Sequence, residues 1–154
     1  MRLVIQKVCK ATVTSVEKGT IAGTIDKGLL VLIGITHSDN MEIVQKFAQK
    51  LLTLKLWSSL DGSKPNYTNI MENKLELLIV SQFTLYGTLK GNKPDFHHAL
   101  QSKDAFVIYE QFLQELGKCY DPTKIGKGAF GEYMSIDASL DGPATILIDS
   151  EKDK

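Results

Sequence analysis

The sequence predicts an α/β (α+β) fold: a compact, β-rich domain in which curved, largely antiparallel sheets are covered by two main helices. Three observations carry this expectation. Two segments repeat apolar residues at spacings of three and four. Most of the remaining apolar residues fall into short runs that either alternate with polar ones or are continuous. The early runs are joined by Glu17-Lys18-Gly19 and Asp26-Lys27-Gly28, hairpin-type turns whose brevity favours antiparallel neighbours. Strict strand-helix alternation is absent, and no glycine-rich phosphate loop follows a strand.

Taken in order, residues 3–8 and 12–16 alternate and predict the first two strands, followed by strands at 20–25 and 29–35, the last a continuous apolar run. The first helix is expected over 41–54, where Ile43, Val44, Phe47, Ala48, Leu51 and Leu52 form one stripe, and where Asp39 and Glu42 resemble a capping box. Strand signals return at 75–80. A second helix is expected over about 103–116, with Ser102 as N-cap and Gly117 as its stop. It faces Ala105, Ile108, Tyr109, Phe112, Leu113 and Leu116 inward. Strands at 133–138 and 145–149 complete the set.

The 154 residues fit a single domain spanning the whole chain, 1–154, long enough to bury about two-thirds of the surface its unfolded form exposes. No apolar stretch approaches the roughly 20 residues that cross a bilayer, and the start lacks the long apolar region of a signal peptide, so a cytoplasmic protein is expected. Cys9 and Cys119 stand alone, and His37, His97 and His98 have no ligand spacing, so neither metal nor cofactor is expected. The formal net charge is zero. That argues against a broad polyanion-binding surface, and the polar stretch holding Lys90, Lys93 and Lys103 reads first as a solvated loop.

Two segments suggest chemistry. Ser81-Gln82-Phe83-Thr84-Leu85 ends the apolar run 75–80 and places hydroxyl and amide groups where a rigid strand breaks into a loop. Strand alternation would aim Ser81 and Phe83 one way and Gln82 and Thr84 the other. The residues alone read equally well as a binding site or as local caps in which Ser81 and Thr84 bond nearby backbone. A nucleophilic Thr84 would need a base, and the nearest candidates, His97 and His98, have no indicated acidic partner. The second segment, Leu140-Asp141-Gly142-Pro143-Ala144-Thr145, puts a Gly-Pro bond before the last strand; base rates favour trans, while a cis bond would align two carbonyls as rigid acceptors.

The chain resembles the D-aminoacyl-tRNA deacylases along essentially its whole length. The opening Met1-Arg2-Leu3-Val4-Ile5-Gln6-Lys7-Val8, the Ser81–Leu85 signature, Lys93-Pro94-Asp95-Phe96, Gly128-Ala129-Phe130-Gly131-Glu132-Tyr133-Met134 and Asp141-Gly142-Pro143-Ala144-Thr145 follow in family order. Leu140 and Ala144 depart from the asparagine and valine usual there. The resemblance implies hydrolysis of the ester joining a D-amino acid, or mischarged glycine, to the terminal adenosine of tRNA, with no cofactor. It implies a homodimer in which a cis Gly142-Pro143 of one subunit reaches the pocket around Ser81, Gln82, Phe83 and Thr84 of the other. L-residues would be rejected by collision with that wall, and the adenosine 2′-hydroxyl would assist hydrolysis. Phe83 and Thr84 amides are the implied oxyanion donors, with Phe130, Ala105 and Met134 around the substrate. The expected partner is therefore the tRNA acceptor end, with neither membrane nor DNA. Two alternatives differ in kind: a tRNA-end or DNA-binding module without turnover, and an esterase with Thr84 as nucleophile.

Overall fold

A computed structural model describes residues 1–59 and 61–153. Six strands form one sheet: β1 (Arg2–Ser15), β2 (Thr20–Ile25), β3 (Gly28–Gly34), β4 (Glu76–Ser81), β7 (Ile125–Lys127) and β8 (Met134–Asp149). A separate exposed hairpin joins β5 (Thr88–Lys90) and β6 (Lys93–Asp95). The helices are α1 (Met41–Thr53) and α2 (Ser102–Cys119). The main path runs β2-β1-β3-β4-β7, with β8 also on β1. Pairing is antiparallel where β1 meets β2, β3 and β8, and parallel at β3–β4 and β4–β7, so the sheet is mixed with an antiparallel majority.

Two cores explain the apolar patterns. Leu29, Val31 and Ile33 of β3 and Leu77 and Ile79 of β4 pack against the helices, while Leu30, Leu78 and Val80 enter a second cluster on the opposite face. Burial on both faces is why these strands read as continuous apolar runs instead of alternating ones. In β1, Leu3 and Ile5 feed the helix side and Val8 the other, as alternation requires; Ala11 and Val13 then join Val8's cluster despite their odd spacing from it. The register irregularity between Val8 and Lys10 supplies the extra residue that makes this switch. The sheet curls far enough to bring β2 against β7: a Cβ on Gly23 would lie 2.6 Å from the Lys127 carbonyl oxygen.

Several boundaries differ from the sequence-based expectation. The segments 3–8 and 12–16 are one strand, and so are 133–138 and 145–149, because β8 pairs with β1 on both sides of a register break, through Met134 to Leu140 and again through Thr145 to Asp149. The polar stretch with Lys90 and Lys93 forms the β5–β6 hairpin, turning at Gly91 with φ 63°. Helix α1 is capped by Asn40, whose side chain accepts from the Ile43 N–H at 3.1 Å. Asp39 is diverted to the Met1 ammonium and to the Thr36 N–H, so the Asp39–Glu42 capping box does not form. Helix α2 begins at Ser102 itself, with Gln101 as a cap that makes no side-chain bond, and it continues through Gly117 to Cys119. Its buried Tyr109 hydroxyl donates to the Ile79 carbonyl at 2.9 Å, fixing α2 over β4; burial holds that phenol well above its usual pKa.

Candidate active site

A pocket of about 760 Å³ opens at the carboxyl ends of the parallel strands β3 and β4, the side on which ligands bind in open parallel sheets. Ile33 and Val80 line its apolar side, the start of α2 contributes Ser102 and Ala105, and the segment leading into β8 supplies Phe130 through Tyr133, followed by Met134 of β8 itself. Ser81, Gln82, Phe83 and Thr84 all line it. Strand alternation ends at Ser81, because Phe83–Tyr86 form a 3-10 turn. That turn, not the pleat, sets the directions of Phe83 and Thr84. Neither Ser81 nor Thr84 serves as its cap: the capping position belongs to Gln82, without a side-chain bond, and the Gln82 amide nitrogen instead donates to the Thr84 hydroxyl. The Phe83 and Thr84 N–H groups find no acceptor among the described residues, as at the open start of any helical turn.

Seven of the nine sequence-predicted site residues therefore meet in one cavity: Ser81, Gln82, Phe83, Thr84, Ala105, Phe130 and Met134. Gly142 and Pro143 do not line it; both are exposed, further along β8. Ile136, the last residue of that strand to line the pocket, and Gly142 are six residues apart, roughly 20 Å at the ordinary strand rise. The Gly142-Pro143 bond is cis, against the base rate and as the family resemblance implied, and Gly142 has φ 123°.

The pocket is mostly apolar and holds one ionisable carboxylate, Glu132, among its lining residues apart from the Tyr133 phenol. The Lys18 ammonium, followed by the Ser15 hydroxyl, holds Glu132 below the usual glutamate range. Among the described residues, no histidine, lysine or cysteine lines the cavity. His97 does have an acidic partner, contrary to the sequence reading, with Nδ1 2.5 Å from Asp95 Oδ1. That pair sits on the hairpin side, outside the pocket lining. Among the described residues no group of histidine, cysteine, aspartate and glutamate side chains could hold a metal ion, and no helix is long and apolar enough to cross a membrane.

Phe96, Ala99, Leu100 and Tyr133 were not chosen from the sequence, and they also line the pocket. Phe96 lay within a motif already singled out, and its ring meets Phe83 edge-on at 5.1 Å. Tyr133 likewise belongs to the Gly128–Met134 motif, whereas the adjacent Ala99 and Leu100 carry no local signal.

The profile of the D-Tyr-tRNA(Tyr) deacylase family matches residues 4–149. The chain belongs to this family. A D-aminoacyl-tRNA deacylase of Drosophila melanogaster is 44% identical over 154 residues, covering 100% of this chain and 95% of its own. D-aminoacyl-tRNA deacylase 1 of Leishmania major is 43% identical over 152 residues, covering 99% of each chain. Among solved structures, the c-Myc DNA Unwinding Element Binding Protein superposes with a TM-score of 0.91 at 39% identity, covering 97% of this chain and 99% of that one. A probable eukaryotic D-amino acid tRNA deacylase superposes at 0.83 with 16% identity, over 96% and 97% of the two chains, a likeness of fold.

Proposed function

We propose that this member of the deacylase family hydrolyses the ester between a D-amino acid and the terminal adenosine of tRNA, releasing free tRNA and the D-amino acid. The observation that carries the mechanism is a pocket with Ser81, Gln82 and Thr84 at its polar end and, among the described residues, no histidine, lysine or cysteine, its one carboxylate, Glu132, being engaged by Lys18 and Ser15. A histidine-assisted nucleophile has no place there. An aminoacyl ester is already activated, and the vicinal 2′-hydroxyl of the adenosine assists attack by water. Water adds to the ester carbonyl, the Phe83 and Thr84 N–H groups stabilise the oxyanion, and collapse expels the ribose 3′-oxygen, which takes a proton. Phe130 packs on the adenosine, with Ala105 and Met134 beside it, and tRNA mischarged with glycine is a second substrate.

The chiral filter comes from a second copy of the chain. Gly142 and cis-Pro143 of the partner form a backbone wall beside the α-carbon, so an L-side chain collides where a D-residue presents hydrogen. Their exposure and their distance from their own chain's pocket support a homodimer with one site per chain. Paired assays with D-Tyr-tRNA and L-Tyr-tRNA test the function: the D-ester is cleaved and the L-ester spared. Equal rates, or an intact D-ester, would overturn it.

The solved neighbour named for binding a DNA unwinding element supports a second reading, nucleic-acid binding without turnover. Zero net charge and a pocket with no lysine or arginine among the described residues favour the ester hydrolase. Retention of duplex DNA at physiological salt by a protein inactive on D-Tyr-tRNA would reverse that preference.

A further inference from the structure

The rim of the pocket carries more aromatic surface than one adenosine needs. Phe106, in the second turn of α2, is 46% exposed and lies outside the pocket lining. Its ring meets Phe130 edge-on, with centroids 5.2 Å apart and planes at 65°. Phe130 itself lines the cavity, so Phe106 stands outside the pocket in contact with a ring of its wall. Lys103 precedes Phe106 by three residues on the same helix, the spacing that places two side chains side by side. Lys103 is exposed and makes no ion pair among the described residues, whereas Lys90, Lys118 and Lys127 are paired with Asp95, Glu115 and Glu110.

We propose that Phe106 and Lys103 form a subsite for the nucleotide that precedes the terminal adenosine. Its base stacks on the Phe106 ring, and Lys103 meets the phosphate joining the two nucleotides. The assignment rests on the reading that the adenosine of an aminoacyl-tRNA occupies the pocket. Polarity selects this side of the rim. Phe83 is also exposed, but it belongs to the segment that handles the ester, so the polynucleotide leaves past Phe130. A chain of zero net charge gains little from generalised phosphate attraction, and stacking supplies grip that every base can satisfy. An aromatic face next to an unpaired cation matches single-stranded nucleic acid better than it matches a protein helix, which would call for a wider apolar strip.

The test compares two substrates, intact D-Tyr-tRNA and the 3′-D-tyrosyl ester of adenosine alone. Phe106→Ala raises KM for D-Tyr-tRNA about tenfold, leaves kcat at saturation unchanged and leaves hydrolysis of the adenosine ester unchanged. Phe106→Trp restores the KM, which a packing defect would not allow. Lys103→Gln raises KM for D-Tyr-tRNA at low salt and flattens its salt dependence, again without effect on the adenosine ester. An unchanged KM for D-Tyr-tRNA in Phe106→Ala overturns the subsite and leaves the exposed ring to some other partner. Equal losses on both substrates overturn it too, since Phe106 would then act only by supporting Phe130. Wild-type protein inactive on both substrates instead removes the deacylase reading beneath it.

Discussion

The side-chain amide of Gln82 donates a hydrogen bond to the Thr84 hydroxyl within the pocket. That contact leaves the threonine oxygen as an acceptor held in place by its neighbour, with no base beside it to draw off its proton. Thr84 is thereby suited to positioning. Thr84→Ala is expected to lower kcat on D-Tyr-tRNA by less than about tenfold, a loss of roughly 1 kcal/mol in keeping with one neutral hydrogen bond. A terminal 2′-deoxyadenosine should abolish turnover in the wild type. Single-turnover deacylation of the two substrates measures both; loss of activity in Thr84→Ala with cleavage of the deoxy ester would restore the nucleophile.

Gly34 ends β3 against the turn that carries the site. A Cβ there would lie 2.9 Å from Leu85 Cβ and 3.2 Å from Tyr86 Cδ2, so the Phe83–Tyr86 turn must move to admit it. Misplacement of that order near reacting atoms costs up to about 100-fold in rate. Gly34→Ala should therefore lose much more kcat than thermal stability, read from parallel kinetics and melting curves.

Gly142 combines φ 123° with a would-be Cβ 2.9 Å from the Ala144 nitrogen. Any L-side chain there is strained by about 1–3 kcal/mol. The residue is exposed, so Gly142→Ala should still fold, with a lowered Tm, while D-Tyr-tRNA deacylation falls by more than tenfold. Full activity in a folded variant would remove Gly142 from the substrate wall.

Glu132 ties the pocket wall to the β1–β2 turn through Lys18 and Ser15, and these donors depress its pKa. A depressed carboxylate contributes its stabilisation fully above the ordinary glutamate range and loses it as pH falls through the lower folded value. The tie should thus persist through mild acid, and a carboxyl-carbon NMR titration of Glu132 should show a midpoint below that of an exposed glutamate. A midpoint at or above the ordinary value would sever the tie from the wall's order.

How much the chain discloses in advance depends on range. The Val44–Leu52 stripe of α1 and the apolar runs of β3 and β4 are set by burial against near neighbours, and their periodicity shows in the sequence. The continuity of β8 through Leu140-Asp141-Gly142-Pro143 does not show, because those residues read as a turn, and only the pairing of Leu140 and Thr145 to β1 on either side carries the strand across the register break between them. The three-residue strands β5, β6 and β7 are too short for any period. In the site, Ser81 through Thr84 are contiguous and legible as a motif. Ala99 and Leu100 reach the same cavity from a segment without a motif, and nothing local announces that meeting.

The placement of Met134 and Gly142 on one long strand, with only the first at its own chain's pocket, has a consequence for mixtures. If each site draws its cavity from one subunit and its wall from the other, a subunit crippled at Gly142 still owns a sound cavity, and one crippled at Ser81 still owns a sound wall. In that arrangement either variant alone should lose most of its activity. Co-expressed, they would assemble hybrids in which one of the two sites is whole, so two defective alleles should complement each other.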